Sequence, residues 1–177
     1  MILHLFKEKT VLPVLVCVIC GIFAFACSDK NADYYFNLGL TYGKAAKHQE
    51  AIDAYKQAIR IKPDHALAHY NLGIAYRSSG NVSEAIESYK RAISIEPDNA
   101  MAYYSLGHAY RASGKHQEAI DAYKQVIRIN PDHARAYYNL GYAYFLLNDM
   151  DSAIDQYKIL KDLDKEQANK LFNLINP

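Results

Sequence analysis

Lys47 to Ala66 reads KHQEAIDAYKQAIRIKPDHA and Lys115 to Ala134 reads KHQEAIDAYKQVIRINPDHA, so only Ala58 to Val126 and Lys62 to Asn130 change. The two blocks are 68 residues apart, twice a period of 34. A fixed period in this range is the mark of stacked small units, none of which buries its apolar face alone. The question of function therefore becomes what the stacked surface holds.

Aligned at that period from Ala32, the chain divides into units at 32–65, 66–99, 100–133 and 134–167. The seventh and eighth places hold Leu38-Gly39, Leu72-Gly73, Leu106-Gly107 and Leu140-Gly141. The eleventh holds Tyr42, Tyr76, Tyr110 and Tyr144; the twentieth Ala51, Ala85, Ala119 and Ala153; the twenty-fourth Tyr55, Tyr89, Tyr123 and Tyr157. Spacings of three and four put these residues on one apolar stripe of each of two helices per unit. Glycine and alanine at the eighth and twentieth places let the two helices of a hairpin approach closely.

Gly80, Gly114 and Asn148 suit the left-handed residue that ends a helix, and Ala46 in the same place predicts a different first turn. Pro63, Pro97 and Pro131, each followed by Asp, stop the second helix and offer a cap for the next. The fourth unit drifts, with Lys165 in the proline place and Leu160 where Ala or Val stood. Beyond it Ala168, Leu171, Phe172 and Ile175 make an apolar face opposite Lys165, Glu166, Asn169, Lys170 and Asn173, predicting a capping helix over 165–177. Nine helices and no strand are expected.

The register resembles that of the tetratricopeptide repeat family across essentially all of the chain after residue 31. The resemblance implies an all-α, right-handed α-α superhelix of helix-turn-helix repeats, closed by the C-terminal capping helix. It also implies a concave face lined by the first helices, through their second, fifth, sixth, ninth and twelfth residues.

A different segment precedes the repeats. Lys7 and Lys9 lead into an uncharged run from Val11 to Ala26, and the chain turns polar after Cys27. This is the layout of a signal peptide over 1–26, followed by a short linker at 27–31. Sixteen helical residues reach roughly 24 Å, short of the roughly 30 Å of a bilayer's hydrocarbon core. Cys27 after Ala26 resembles the lipid-acceptor cysteine of bacterial lipoproteins, although Ala24 and Phe25 depart from the preferred residues there. Lipidation at Cys27 is the preferred expectation; release by ordinary signal peptidase and an uncleaved anchor stay open. The expected place is the bacterial cell envelope, on its periplasmic or outer face.

Cys17, Cys20 and Cys27 all belong to this segment, so the repeats have no disulfide framework and no thiol metal site. A net charge of +1 gives no hint of a nucleic-acid partner. Gly43 is the one glycine after the leader outside the eighth-place and turn positions, which leaves no phosphate-binding loop. His65 and His69 are four apart, yet no third ligand is placed beside them. No nucleophile, base and orienting acid group together, so neither an enzyme, a cofactor nor a small-molecule substrate is expected.

Most tyrosines stand at the fourth, eleventh and twenty-fourth places, where packing between helices accounts for them. On the places that the family uses for its concave face stand Phe36, Tyr70, Tyr104 and Tyr138 at the fifth, and Asn37, Asn71, Ser105 and Asn139 at the sixth. The ninth reads Leu40, Ile74, His108 and Tyr142, and the twelfth includes Arg77 and Arg111. Rings beside amides make a cradle for an extended peptide, because an amide can donate to and accept from any peptide group. This is similar to the asparagine ladder in the repeat superhelix of O-linked N-acetylglucosamine transferases. Arg77 and Arg111, with Arg135 and Lys44 nearby, favour an acidic segment or free carboxylate. The competing reading is that the asparagines bridge neighbouring helices and the arginines are solvated.

The family's carboxylate clamp for chaperone tails is not expected: Asn71 fits it, whereas Phe36, Leu40, Met101 and Ser105 do not. The leading expectation is a membrane-anchored, non-enzymatic scaffold that binds protein partners in its groove. A self-associating structural repeat protein is the alternative.

Overall fold

The structure is a computed structural model and describes residues 31–176. The expectations for the signal peptide at 1–26 and for Cys27 fall outside those residues. The described chain is helical throughout: α1 (Ala32–Lys44), α2 (His48–Ile61), α3 (Ala66–Ser78), α4 (Val82–Ile95), α5 (Ala100–Ala112), α6 (His116–Ile129), α7 (Ala134–Leu146), α8 (Met150–Leu163) and α9 (Lys165–Ile175). Four hairpins stack in order, each packing on the next, and α9 closes the stack against α8 and α7. Among the described residues there is no strand, and no helix is long and apolar enough to cross a membrane.

Steric fit between ring and glycine sets the hairpin. A Cβ on Gly73 would lie 2.6 Å from Tyr89 Cε1, and one on Gly107 equally close to Tyr123 Cε1. The first helix therefore rests its bare backbone on the ring of the second. From the other side the next unit seals that ring: Ile52 and Tyr55 pack with Leu72 and Ala75, and Ile120 and Tyr123 with Leu140 and Ala143. Lysines at the twenty-fifth place add a second tie between units, with Lys56 Nζ over the Tyr76 ring at 5.5 Å and Lys124 Nζ over Tyr144 at 5.7 Å.

Four details differ from the sequence expectation. Ala46 does not alter the first turn; it takes φ 56°, in the same left-handed region as Gly80 at 83°, Gly114 at 73° and Asn148 at 60°. The closing bond from Lys47 N to Tyr42 O, 2.9 Å, matches those of Asn81, Lys115 and Asp149, so tertiary packing imposes the turn on an unfavourable residue.

The caps lie one residue later than Pro-Asp implies. Because α3, α5 and α7 begin at Ala66, Ala100 and Ala134, the capping position belongs to His65, Asn99 and His133. Asn99 Oδ1 accepts from Ala102 N at 3.0 Å and His133 Nδ1 from Ala136 N at 3.2 Å. Asp98 is thereby left to pair with Arg128 at 2.9 Å.

At the C-terminal end the tyrosine at the twenty-fourth place gives way. Leu171 of α9, not Tyr157, comes within 2.6 Å of where a Gly141 Cβ would stand. Tyr157 moves outward and stacks on Phe172 with centroids 5.4 Å apart. Phe172 is in turn exposed rather than on the buried face of α9, which Ala168, Leu171 and Ile175 form without it. Asp164 alone joins α8 to α9, accepting from Glu166 N and Gln167 N, so no Pro-Asp loop sets the last helix at the distance of a repeat.

Candidate functional site

The first helices carry Lys44, Arg77, Arg111 and Arg135 against one carboxylate, Asp33, whereas on the second helices nine carboxylates stand against eight lysines and arginines and nearly cancel. The net excess of cations therefore lies on α1, α3, α5 and α7.

Each residue expected in the site has a definite setting. Phe36, Tyr70 and Tyr104 are half-buried, each about 6 Å from its own unit's ring, with centroids at 6.0 Å from Tyr55, 5.9 Å from Tyr89 and 6.0 Å from Tyr123. Tyr138 packs instead against the cluster that α9 completes. The fifth-place row is therefore partly packing and partly surface.

The amide row divides in two. Asn139 is 5% exposed and its Nδ2 donates to Tyr104 Oη at 3.0 Å and to Arg135 O at 2.8 Å. Ser105 makes the corresponding link to Tyr70 Oη at 3.5 Å. Both are bridges between units, and each needs a phenol at the fifth place of the preceding unit. Phe36 has none, so Asn71 donates only to Leu67 O of its own helix and lines a cavity, while Asn37 stands exposed.

That cavity, of about 270 Å³, lies between α1 and α3 and is lined by Leu40, Gly43, Lys44, His48, Tyr55, Asn71, Ile74, Ala75 and Ser78. Its existence depends on Gly43. In the second and third units the equivalent place holds Arg77 and Arg111, which lie beside the Tyr89 and Tyr123 hydroxyls. In the first unit no arginine lies beside the corresponding hydroxyl, and Tyr55 Oη is 3.8 Å from where a Gly43 Cβ would be. The sequence singled out Gly43 as unlike the other glycines; its place opposite Arg77 and Arg111 was the signal that it opens the groove.

Further along, Arg111 lies over the Tyr142 ring at 5.1 Å, and neither it nor Arg77 makes an ion pair among the described residues. The hydroxyls of Tyr89 and Tyr123 and the Nε of Arg111 are buried without a well-aligned hydrogen bond. Burial pushes both phenols up, and the neighbouring guanidinium pulls each part of the way back. His108 sits among them, 4.7 Å from the Tyr104 ring and 5.8 Å from Tyr123. Burial, then Arg111 and Arg77, lower its pKa to about 4, so it is neutral at neutral pH and the arginines are the local charge.

His65 and His69 do not converge. His69 Nε2 is bonded to Pro63 O at 2.9 Å, and His65 stacks on Phe36 at 4.8 Å. The arrangement offers hydrogen bonding, apolar contact and positive charge, and among the described residues no group of His, Cys, Asp and Glu could hold a metal ion.

Comparison with known proteins gives a consistent picture. The family model described as TPR repeat matches residues 47–80, 75–111 and 107–148, and the one described as Tetratricopeptide repeat matches 134–167. A crystal structure of MamA is similar at 31% identity and TM-score 0.76, over 82% of this chain and 85% of that one. MamA from Desulfovibrio magneticus RS-1 shares the fold at 20% identity and TM-score 0.71, over 77% of each chain. The first TPR of Spaghetti (RPAP3), bound to the HSP90 peptide SRMEEVD, is similar at 25% identity and TM-score 0.65, over 67% of this chain and 94% of that one. A search of the curated proteins finds no match to the chain.

Proposed function

The chain belongs to the tetratricopeptide repeat family, and from that premise we propose that it is a non-enzymatic scaffold whose concave groove binds an extended segment of a partner protein. The observation that carries this reading is the open stretch between α1 and α3, where Asn71, free of a bridge between units, lines a largely apolar cavity and Asn37 stands exposed on the neighbouring first helix. An amide beside such a cavity can hold a peptide group while the cavity takes a side chain. A solved relative with a peptide bound supports the mode of binding. Changing Asn37 and Asn71 together to Ala should weaken partner capture from the native envelope while leaving helix content unchanged, since neither bridges units. Equal capture by the double variant would remove the groove from consideration.

We also propose that the scaffold is held at a bacterial envelope membrane by lipid on Cys27, a reading supported by the sequence of residues 1–30. Replacing Cys27 with Ser should abolish incorporation of labelled fatty acid and release the protein from membranes. Retention of Cys27→Ser in the membrane would favour an uncleaved anchor.

Self-association is a second reading, favoured by the exposed Ile154, Ile159, Leu163 and Phe172 on α8 and α9. Light scattering over a range of concentrations separates it from a monomeric binder.

A further inference from the structure

The groove has two chemically different compartments next to one another. The first is the cavity over Gly43, walled by Leu40, Ile74 and Ala75. The second is the pair Arg77 and Arg111, with no carboxylate on α3, α5 or α7 to neutralise them. Their ion-pairing capacity is unspent, Arg111 Nε is buried without a partner, and the Tyr89 and Tyr123 hydroxyls beside them are buried in the same state. Buried polar groups left in this condition are costly, and a ligand that supplies acceptors recovers the cost. An oxyanion between two guanidinium groups meets that requirement for the arginines.

Resting on the groove reading above, we infer that the Gly43 cavity seats an apolar side chain of an extended peptide while Arg77 and Arg111 hold a carboxylate borne about three residues along it. The spacing follows from dimensions: neighbouring packed helices are roughly 8–10 Å apart, and an extended chain covers roughly 3.3 Å per residue. The partner chemistry is an acidic segment with a bulky apolar residue at one end. The discriminating residue is Gly43, because arginine there would restore the pattern of the second and third units and fill the cavity.

The test uses the full chain in detergent micelles, followed by NMR, with the capped peptide acetyl-Leu-Ala-Ala-Glu-Glu-amide and its reversed sequence as probes. One of the two should shift the methyl resonances of Leu40 and Ile74 together with the Nε–H of Arg111. Gly43→Arg, or leucine replaced by alanine in the peptide, should weaken binding about tenfold; so should Arg77→Gln with Arg111→Gln, or glutamine for glutamate in the peptide. Added salt should weaken the parent peptide and leave the glutamine peptide unaffected. Gly43→Arg is compatible with the helix, since a Cβ there meets nothing nearer than the Tyr55 hydroxyl at 3.8 Å, and unchanged helix content by circular dichroism separates loss of binding from loss of fold. If Gly43→Arg and the arginine double variant bind as the parent does, while Asn37→Ala with Asn71→Ala loses binding, the two-compartment assignment falls and the groove reading stands. If neither peptide perturbs any groove resonance, both fall.

Discussion

Single residues here are decided by a neighbour one unit away. Asn71 and Asn139 occupy the same place in their repeats, yet Asn139 is tied to Tyr104 and Asn71 is open. The cause is one oxygen atom, present on Tyr104 and missing from Phe36, and it is legible in sequence only if the sixth place is read against the fifth place of the preceding unit. Ala46 shows the opposite dependence, being held at φ 56° by the same turn that glycine closes elsewhere. An L-residue there costs roughly 1–2 kcal/mol, offset in part by the roughly 0.5–1 kcal/mol of chain entropy that glycine loses. Ala46→Gly should therefore raise stability by about 0.5–1 kcal/mol in urea unfolding; a decrease would mean the turn is not strained. His108, facing Arg77, Arg111, Tyr104 and Tyr123, adds a pH term. Its folded pKa lies below the unfolded value of 6.5, so between pH 6.5 and about 4 the unfolded chain binds a proton that the folded chain refuses. Its contribution is complete above that window and is lost as pH falls through it, about 1–2 kcal/mol once partial exposure is discounted. A His108→Gln variant should flatten that part of the pH profile.

At the level of the helical hairpin, structure is legible in the sequence where one period governs and is hidden where two elements compete for the same place. Leu, Gly, Tyr and Ala at fixed spacing place the eight helices of the four hairpins, because these positions recur in every unit, while α9 is legible from its own apolar spacing. The cap residue and the face of α9 escaped that logic. Capping depends on where the loop delivers the first helical residue, and Asp164 delivers α9 without a loop. Phe172 then loses its place on the buried face to Leu171. Phe172-Asn173-Leu174 repeats Phe36-Asn37-Leu38 four periods on, a sign that α9 carries the pattern of a first helix. Gly107→Ala tests the hairpin directly: the Tyr123 ring is pinned by Ile120, Leu140 and Ala143 and cannot retreat. The cost should be about 1–3 kcal/mol by chemical unfolding. Gly141→Ala should cost less, because its nearest obstacle is a terminal methyl of Leu171, which can turn about a side-chain bond, rather than a rigid ring; equal costs would argue against the ring as the cause.

For the whole molecule, contacts run almost entirely within a hairpin or to the next one along, so stability is a chain of local terms rather than one shared core. Leu171 is the largest fully buried side chain of α9, packed with Ala153, Leu160, Ala168 and Ile175. Leu171→Ala should cost about 2–5 kcal/mol locally. Hydrogen exchange should then quicken over α7 to α9 and hold steady over α1 to α4. A uniform rise would show that the stack opens as one body.

The single-residue joint at Asp164 bears on how such a molecule responds to load. A partner gripped in the groove and drawn away would pull the hairpins apart in sequence rather than at once. Rupture would begin where a helix has a neighbour on one side only, and α9, folded back over both α7 and α8, stiffens that free end as a splice stiffens the end of a rope.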